Sequence, residues 1–134
     1  MKNIFPSTKI YVADSKIQNA GRGVFAACDI KKNEVVEVCP IINVSEHDTS
    51  NLDNSFLVTY FFYYGKNKNR IAVALGFGSI YNHSYTPNLS YAVKPEEQVI
   101  EFSALEGIKK DTELTFSYAG LTGKNKKNPL WFEV

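Results

Sequence analysis

The hydrophobic pattern of this chain consists of short runs separated by turn residues, and no segment keeps a long helical period. Alternating or continuous apolar runs bounded by Gly, Pro, Asn and Asp are typical of β-strands. The pattern predicts extended segments at 9–13, 23–27, 34–44, 71–75, 89–93, 98–105 and 113–118. Pro40 is expected to interrupt the third of them. The chain is therefore predicted to form a mostly-β domain.

The segments between the predicted strands show little of the hydrophobic periodicity that predicts a helix or a strand. Residues 45–54 are polar and turn-like, residues 55–64 form an aromatic and β-branched run, and residues 65–69 are a strong turn signal. Residues 76–88 crowd Gly, Asn and Pro together and are expected to be mostly irregular. Because functional residues are often held on loops of a rigid scaffold, this last segment is a candidate site.

Length and charge exclude several classes of protein. A chain of 134 residues is long enough for one core and too short for a second domain. Fifteen Lys and Arg face 14 Asp and Glu, so no basic excess favours direct binding of nucleic acid. No apolar run is long enough to predict a membrane span. The start of the chain lacks an export signal, so an intracellular protein is expected.

Metal ligands are scarce in this sequence. It contains two cysteines, Cys28 and Cys39, and two histidines, His47 and His83. Two cysteines are too few for a disulfide framework or a four-cysteine zinc site. Two cysteines and two histidines are enough for one mixed metal site, but nothing in their spacing suggests one. No metal site is therefore predicted.

A first motif is Gly21-Arg22-Gly23. Two glycines flanking one residue allow the backbone to approach a ligand closely or to adopt a positive φ. A dinucleotide fingerprint would need a third glycine where Ala26 stands, followed by a helix, whereas a strand-like run follows here. The dinucleotide interpretation therefore fails, and on its own the motif is better explained as a plain turn.

Two further motifs lie at 81–88 and 113–118. In the second motif, Asn and His offer donors and acceptors suited to a planar heterocycle and an amino-acid head group. Pro87 restricts the residue before it to extended geometry. In the third motif, strand alternation places Phe116 and Tyr118 on one face. Taken separately, a structural turn and an ordinary core tyrosine explain these motifs.

Taken together, the three motifs resemble the SET-domain family of protein-lysine methyltransferases. The matching patterns are Gly-x-Gly, Asn-His-Ser-x-x-Pro-Asn and Glu-Leu-Thr-x-x-Tyr, and they span about Ile10 to Tyr118. The sequence Leu75-Gly76-Phe77-Gly78 and the short length are most similar to stand-alone SET proteins of large viruses and bacteria. The resemblance implies a β-clip fold of small sheets with a C-terminal pseudoknot. It also implies one SET domain over residues 1–134, with 119–134 as a tail.

The resemblance implies an enzyme that moves a methyl group from S-adenosylmethionine (SAM) to a lysine side chain of a protein, such as a histone tail. Gly-x-Gly would lie against the methionine part of SAM, and the Asn-His pair would hold its amino end and adenine edge. The implied cofactor-binding residues are Gly21, Arg22, Gly23, Asn82, His83 and Trp131. An alternative is a catalytically silent SET fold that binds a peptide or partner.

Tyr118 matches the family's catalytic tyrosine, and Tyr60 falls where similar small proteins place a second channel tyrosine. Tyr63 and Tyr64 compete with Tyr60 for that role. Two further residues are assigned to the substrate channel. Phe116 matches a position where phenylalanine accompanies di- or trimethylation, and Tyr91 one where tyrosine accompanies monomethylation. The number of methyl groups transferred is left open.

The C-terminal tail departs from the family pattern. Residues 119–134 contain no cysteine, so the zinc segment of many histone-directed enzymes is not expected. Trp131 or Phe132 could close over the adenine or the lysine channel, or could plug the core. Acidic residues between positions 29 and 53 could attract a basic peptide, although a solvated face is the favoured explanation. A homodimer is a further hypothesis, and the location is expected to be cytoplasmic or host-nuclear.

Overall fold

The computed structural model describes residues 3–64 and 70–118. These ranges fold mainly into strands, which confirms the mostly-β prediction. The elements are β1 (Ile10–Asp14), β2 (Arg22–Ala26), β3 (Val35–Val44), α1 (Glu46–Asp53), a 3-10 helix (Phe56–Tyr60), β4 (Phe61–Tyr64), β5 (Arg70–Ala74), β6 (Asn82–His83), β7 (Leu89–Lys94), β8 (Val99–Ala104) and β9 (Glu113–Phe116). Within the described ranges, no helix is long and apolar enough to cross a membrane.

The described strands form two sheets. One has four strands in the order β1-β2-β9-β6, and the other has five in the order β4-β5-β3-β8-β7. β6 and β9 pair in parallel, with Asn82 opposite Thr115 and His83 opposite Phe116. β9 also pairs with β2, which begins in the Gly-x-Gly motif. The first sheet therefore brings all three sequence motifs together.

Pro40 does not interrupt β3, contrary to the prediction. Up to Pro40 the strand pairs with β8, and from Ile41 onward it pairs with β5 on its other edge. The Pro40 carbonyl accepts a hydrogen bond of 2.8 Å from the backbone N–H of Leu75. A proline, which has no N–H to donate, is tolerated here because the strand changes partner at this residue.

The polar segment 45–54 was predicted to be turn-like and instead contains helix α1. Glu46 and Asp48 lie in its first turn, where acidic side chains favourably oppose the helix dipole. The Ser45 hydroxyl donates to the Asp48 carboxylate over 3.0 Å. Because this helix is polar on every side, it has no apolar period from which a helix could have been predicted. The aromatic run that follows divides into the 3-10 helix and β4.

An aromatic cluster joins the two sheets beneath the motifs. Phe116 projects from β9 of the first sheet, and its ring lies 5.2–6.3 Å from four aromatic rings of other segments of the chain. Those rings belong to Phe62, Tyr81, Tyr91 and Phe102. Phe102 is fully buried and Tyr81 is 1% exposed. Burying each such side chain contributes about 1.5–3 kcal/mol to the stability of the fold. The cluster therefore forms a rigid support beneath the three motifs.

Candidate functional site

Asn82 links the three sequence motifs by hydrogen bonds. Its Nδ2 donates to the Arg22 carbonyl over 2.8 Å and to the Glu113 carboxylate over 3.0 Å. Arg22 belongs to the first motif, Asn82 to the second and Glu113 to the third. The structure therefore places the predicted cofactor residues Gly21, Arg22, Gly23 and Asn82 in one corner of the first sheet.

Glu113 is a site residue to which the sequence analysis assigned no role. Besides Asn82, its carboxylate accepts hydrogen bonds from the Ser15 hydroxyl and from the backbone N–H of Lys16, both within 3.0 Å. A Cβ added at Gly23 would lie 2.5 Å from Glu113 Oε2. Because these donors hold the carboxylate in place, Gly23 has to be a glycine for close packing.

Gly21 serves a different purpose from Gly23. It has φ +72°, a left-handed conformation that favours glycine. A Cβ added at Gly21 would meet no heavy atom within 4 Å. The backbone at Gly21 is therefore open to close approach by a ligand, as the first motif suggested.

His83 is held by the backbone of the third motif. Its Nδ1 accepts a hydrogen bond of 2.9 Å from the backbone N–H of Tyr118, so its proton resides on Nε2. Burial lowers the pKa of His83, which keeps the imidazole neutral. Nε2 is buried and has no hydrogen-bond partner within the described part of the chain. A buried donor of this kind calls for an acceptor from beyond the described residues, and a bound ligand is one candidate.

Asn88, the last residue of the second motif, fastens β9 in place. Its Nδ2 donates to the Glu113 carbonyl and its Oδ1 accepts from the Thr115 N–H, both over 2.9 Å. The side-chain amide thus pairs with β9 as a neighbouring strand would. The sequence analysis quoted Asn88 as part of the motif but gave it no role. Its amide, with one donor and one acceptor side, was the only signal of this function.

A cleft of about 480 Å³ opens beside these residues. Its lining includes positively and negatively charged side chains and aromatic rings, which suits a ligand with an amino-acid head group and a heterocycle. The lining residues are Lys16, Ile17, His83, Ser84, Tyr85, Thr112, Glu113 and Thr115. Together with the open space at Gly21 and a His83 Nε2 that has no partner among residues 3–64 and 70–118, this lining fits SAM, the cofactor that the sequence implies.

Tyr118 contacts both the cleft residue His83 and the aromatic cluster. Its hydroxyl donates to the Tyr81 carbonyl over 2.6 Å, and its ring centroid is 5.1 Å from that of Phe116. Burial, and to a lesser extent Tyr60, raises the pKa of Tyr118 to about 12. The hydroxyl therefore keeps its proton at neutral pH. Because that proton points at Tyr81, the oxygen can act only as an acceptor towards any further group.

The other predicted channel residues surround Tyr118 to different degrees. Tyr60 lies close enough to influence the pKa of Tyr118 and is 39% exposed. The Tyr64 hydroxyl instead donates to Asn43 over 2.6 Å. Tyr91 and Phe116 pack edge to face with centroids 5.2 Å apart, and burial raises the pKa of Tyr91. Trp131 and Phe132 lie outside the described residues.

Comparison with known proteins gives consistent matches. The family model "SET domain" matches residues 21–119. A histone-lysine N-methyltransferase of Schizosaccharomyces pombe (strain 972 / ATCC 24843), specific for H3 lysine-37, is 28% identical over 116 residues. That alignment covers 87% of this chain and 73% of the relative.

Solved structures have the same fold. A crystal structure of a candidate histone methyltransferase from Plasmodium falciparum has 34% identity and a TM-score of 0.63. It matches over 82% of this chain and 92% of that one. A Polycomb repressive complex 2 of Chaetomium thermophilum, in an autoinhibited conformation bound to SAM, has a TM-score of 0.71 at 22% identity. That match covers 92% of this chain and 16% of the other.

Proposed function

Because the chain belongs to the SET-domain family, we propose that it methylates a lysine in a basic, histone-like segment of a protein. The activity itself is SAM-dependent protein-lysine N-methylation. The observation that carries the assignment to a site is the hydrogen bond from the Tyr118 hydroxyl to the Tyr81 carbonyl. Tyr118 contacts both the cleft residue His83 and the buried aromatic rings, and the methyl donor and the lysine have to meet between these two.

When bound, SAM supplies an electrophilic methyl group. Gly21 and the cleft residues Lys16, His83 and Glu113 would hold it. The Tyr118 oxygen, whose proton is given to Tyr81, is oriented to accept from the lysine amine or, weakly, from polarised C–H groups. Displacement at a methyl group needs close alignment of the reactants, so this positioning supplies much of the catalysis.

The aromatic cluster beside Tyr118 favours the neutral, nucleophilic form of the lysine amine. Phe116, Tyr91 and Phe62 pack against one another beside Tyr118. An amine that enters such an apolar environment has a lowered pKa because desolvation disfavours its ammonium form. We assign no side chain as a general base. The amine loses its proton to water before it enters the channel.

The charge around the entrance favours a basic substrate. Of the acidic residues between positions 29 and 53, Glu34 pairs with Lys9 over 2.8 Å and Glu37 is buried. Glu46 and Asp48 remain exposed on α1, which packs against the 3-10 helix that ends at Tyr60. An acidic helix next to Tyr60, which influences the pKa of Tyr118, attracts Lys- and Arg-rich peptides. The histone specificity of the Schizosaccharomyces pombe relative supports the same substrate class.

The direct test is transfer of labelled methyl from SAM to core histones and, separately, to a whole-cell lysate. We expect methyl-lysine, mapped by mass spectrometry, on a histone for the unmodified chain and far less of it for Tyr118→Phe. Label on lysate proteins alone would retain the activity and replace the substrate class. Binding of SAM without label on any protein would contradict the enzyme and favour a silent peptide-binding module.

Two further expectations belong to this proposal. An intracellular location, cytoplasmic or in a host nucleus, is consistent with histone-like substrates, and microscopy of a fluorescently tagged chain tests it. The homodimer stays a prediction, which sedimentation velocity of the full chain tests.

A further inference from the structure

A carboxylate lies buried at a distance from the cofactor cleft. Glu37, on β3, is 7% exposed. Glutamate is almost never buried without compensating partners, because desolvating its charge is costly. A hydrophobic side chain of similar volume would often serve stability equally well or better. The position of this carboxylate therefore calls for a specific reason.

The Glu37 carboxylate is held by two donors. Its Oε1 accepts from the Tyr81 hydroxyl over 2.8 Å, and its Oε2 accepts from the Phe77 N–H over 2.9 Å. Burial and this nearby carboxylate raise the pKa of the Cys39 thiol. Burial and the carboxylate raise the pKa of Tyr81 well above its usual range, so the phenol keeps the proton that it donates.

The glycine-rich turn at 75–78 is shaped around this carboxylate. Gly76 has φ +63°, and a Cβ added there would lie 2.6 Å from Glu37 Oε2. A Cβ added at Gly78 would lie 2.9 Å from the Cys39 sulfur. The Leu75-Gly76-Phe77-Gly78 sequence, which the motif comparison used only as a sign of resemblance, thus packs directly on Glu37 and its neighbour.

Tyr81 connects the carboxylate to the catalytic tyrosine. Its side-chain hydroxyl donates to Glu37, and its backbone carbonyl accepts from Tyr118 over 2.6 Å. Its ring packs against Phe102 and Phe116, with centroids 4.6 and 6.3 Å away. Since the hydroxyl, the ring and the carbonyl of Tyr81 are all held, the direction of its carbonyl depends on where Glu37 anchors its hydroxyl.

We propose that Glu37 is a positioning residue for methyl transfer, which aims the Tyr81 carbonyl at the Tyr118 hydroxyl through the Tyr81 side chain. The inference rests on the proposed function of Tyr118. A small misplacement of the hydroxyl lowers the rate, because displacement at the methyl group depends on alignment. Glu37 touches neither reacting group, so its effect falls on turnover more than on cofactor binding.

Two substitutions on the full chain separate this role from general stability. Tyr81→Phe removes only the phenol oxygen, and Glu37→Gln keeps the shape but can accept only one of the two donors. We expect kcat per SAM-binding molecule to fall roughly tenfold to hundredfold in each, with KM for SAM changed less than about threefold. Cys39→Ala removes a buried neighbour of the same carboxylate but leaves both of its hydrogen bonds in place, and it serves as the matched control. It should retain the kcat of the unmodified chain even if its Tm falls.

A double-substitution cycle sharpens the test. In a Tyr118→Phe background there is no hydroxyl to position, so Glu37→Gln should lower the residual rate no further. An undiminished effect in that background would show a structural role and overturn the proposal. An unchanged kcat for Tyr81→Phe would also overturn it, even if Glu37→Gln fails to fold.

A readout without turnover keeps the proposal distinct from the proposed function. The 13C signal of the Tyr118 Cζ, in a chain with labelled tyrosine, reports the hydrogen bond of its hydroxyl. We expect this signal to shift in Tyr81→Phe and Glu37→Gln and to stay in place in Cys39→Ala. If the unmodified chain methylates nothing, the proposed function fails, whereas an unmoved Cζ signal in both variants contradicts the role of Glu37.

Discussion

The hydroxyl of Tyr118 donates a hydrogen bond of 2.6 Å to the backbone carbonyl of Tyr81. The two residues are 37 positions apart, and the parallel pairing of β6 with β9 brings them together. The bond commits the only hydroxyl proton of Tyr118 to the protein, so the oxygen meets the substrate as an acceptor.

Replacement of Tyr118 by phenylalanine should separate binding from turnover. We expect the dissociation constant for SAM to stay within about threefold and kcat to fall on the order of a hundredfold, since one oriented polar group at the reacting centre is lost. Calorimetry and single-turnover assays with labelled SAM measure the two quantities. Tyr11→Phe, which removes an exposed hydroxyl from β1, is the control. An unchanged turnover in Tyr118→Phe would refute the catalytic role.

Substitution of Asn82 by alanine should act on the cofactor instead. The amide links the Arg22 carbonyl to Glu113, and without it the corner that holds the cofactor loosens. We expect the dissociation constant for SAM to rise roughly tenfold, equivalent to about 1.4 kcal/mol. Calorimetric titration of the purified variant measures it. An unaltered dissociation constant would contradict the placement of Asn82 in the cofactor site.

Asn88→Ala should destabilise the fold by removing both side-chain bonds to β9. Leaving the Glu113 carbonyl and the Thr115 N–H unpaired costs about 1–3 kcal/mol for each buried group. Urea unfolding monitored by circular dichroism measures the loss. Asn88→Asp keeps the acceptor for Thr115 and should lose less than Asn88→Ala. Equal stability of all three chains would show that the amide does not hold the strand.

The pH dependence of stability should carry a signature of His83. Burial lowers its folded-state pKa below the ordinary 6.5, so the unfolded chain binds a proton at a higher pH than the folded chain does. The stability contributed by the neutral imidazole is therefore present above pH 6.5 and is lost as the pH falls through the folded pKa. Urea midpoints measured across this range should decline less steeply for His83→Gln. Parallel declines in the two chains would contradict the assignment.

Tyr91→Phe should raise the share of di- and trimethylated product. The Tyr91 ring packs edge to face on Phe116, and removing its hydroxyl enlarges the space beside the aromatic cluster. Mass spectrometry of a peptide substrate at equal extents of reaction measures the distribution. Phe116→Tyr should shift it towards monomethyl-lysine. A product distribution that is the same in both variants and in the unmodified chain would contradict this account.

The sequence was sufficient to predict most of the strands and the meeting of the three motifs. Apolar and polar residues alternate along many strands because one face of each strand is buried, as in β8. The motifs could be matched because Asn82 and Tyr118 have few substitutes in their contacts. Helix α1 was missed because its polar surface leaves no apolar period, and the path of β3 through Pro40 was missed because a change of pairing partner leaves no local mark.

The residues that hold the site in place were harder to predict than the site itself. Glu113 opens the third motif, but its neighbours in sequence do not indicate what its carboxylate binds. Glu37 is one of 14 acidic residues, and nothing local distinguishes it from those on the solvated face. Their significance comes from partners distant in sequence, such as Asn82 for Glu113 and Tyr81 for Glu37. Such long-range pairing exists only in the folded chain, so it cannot be predicted from the residues that are neighbours in sequence.

The β1-β2-β9-β6 sheet also has a consequence for the order in which the protein folds. Val24 pairs with Leu114, and Asn82 pairs with Thr115, so the sheet closes only when segments about 90 and 30 residues apart have met. Contacts of such sequence separation form slowly, because the entropy of closing the loop is lost before the pairing compensates for it. Every motif of the site contacts β9, and we therefore expect the site to be complete only after that strand has docked.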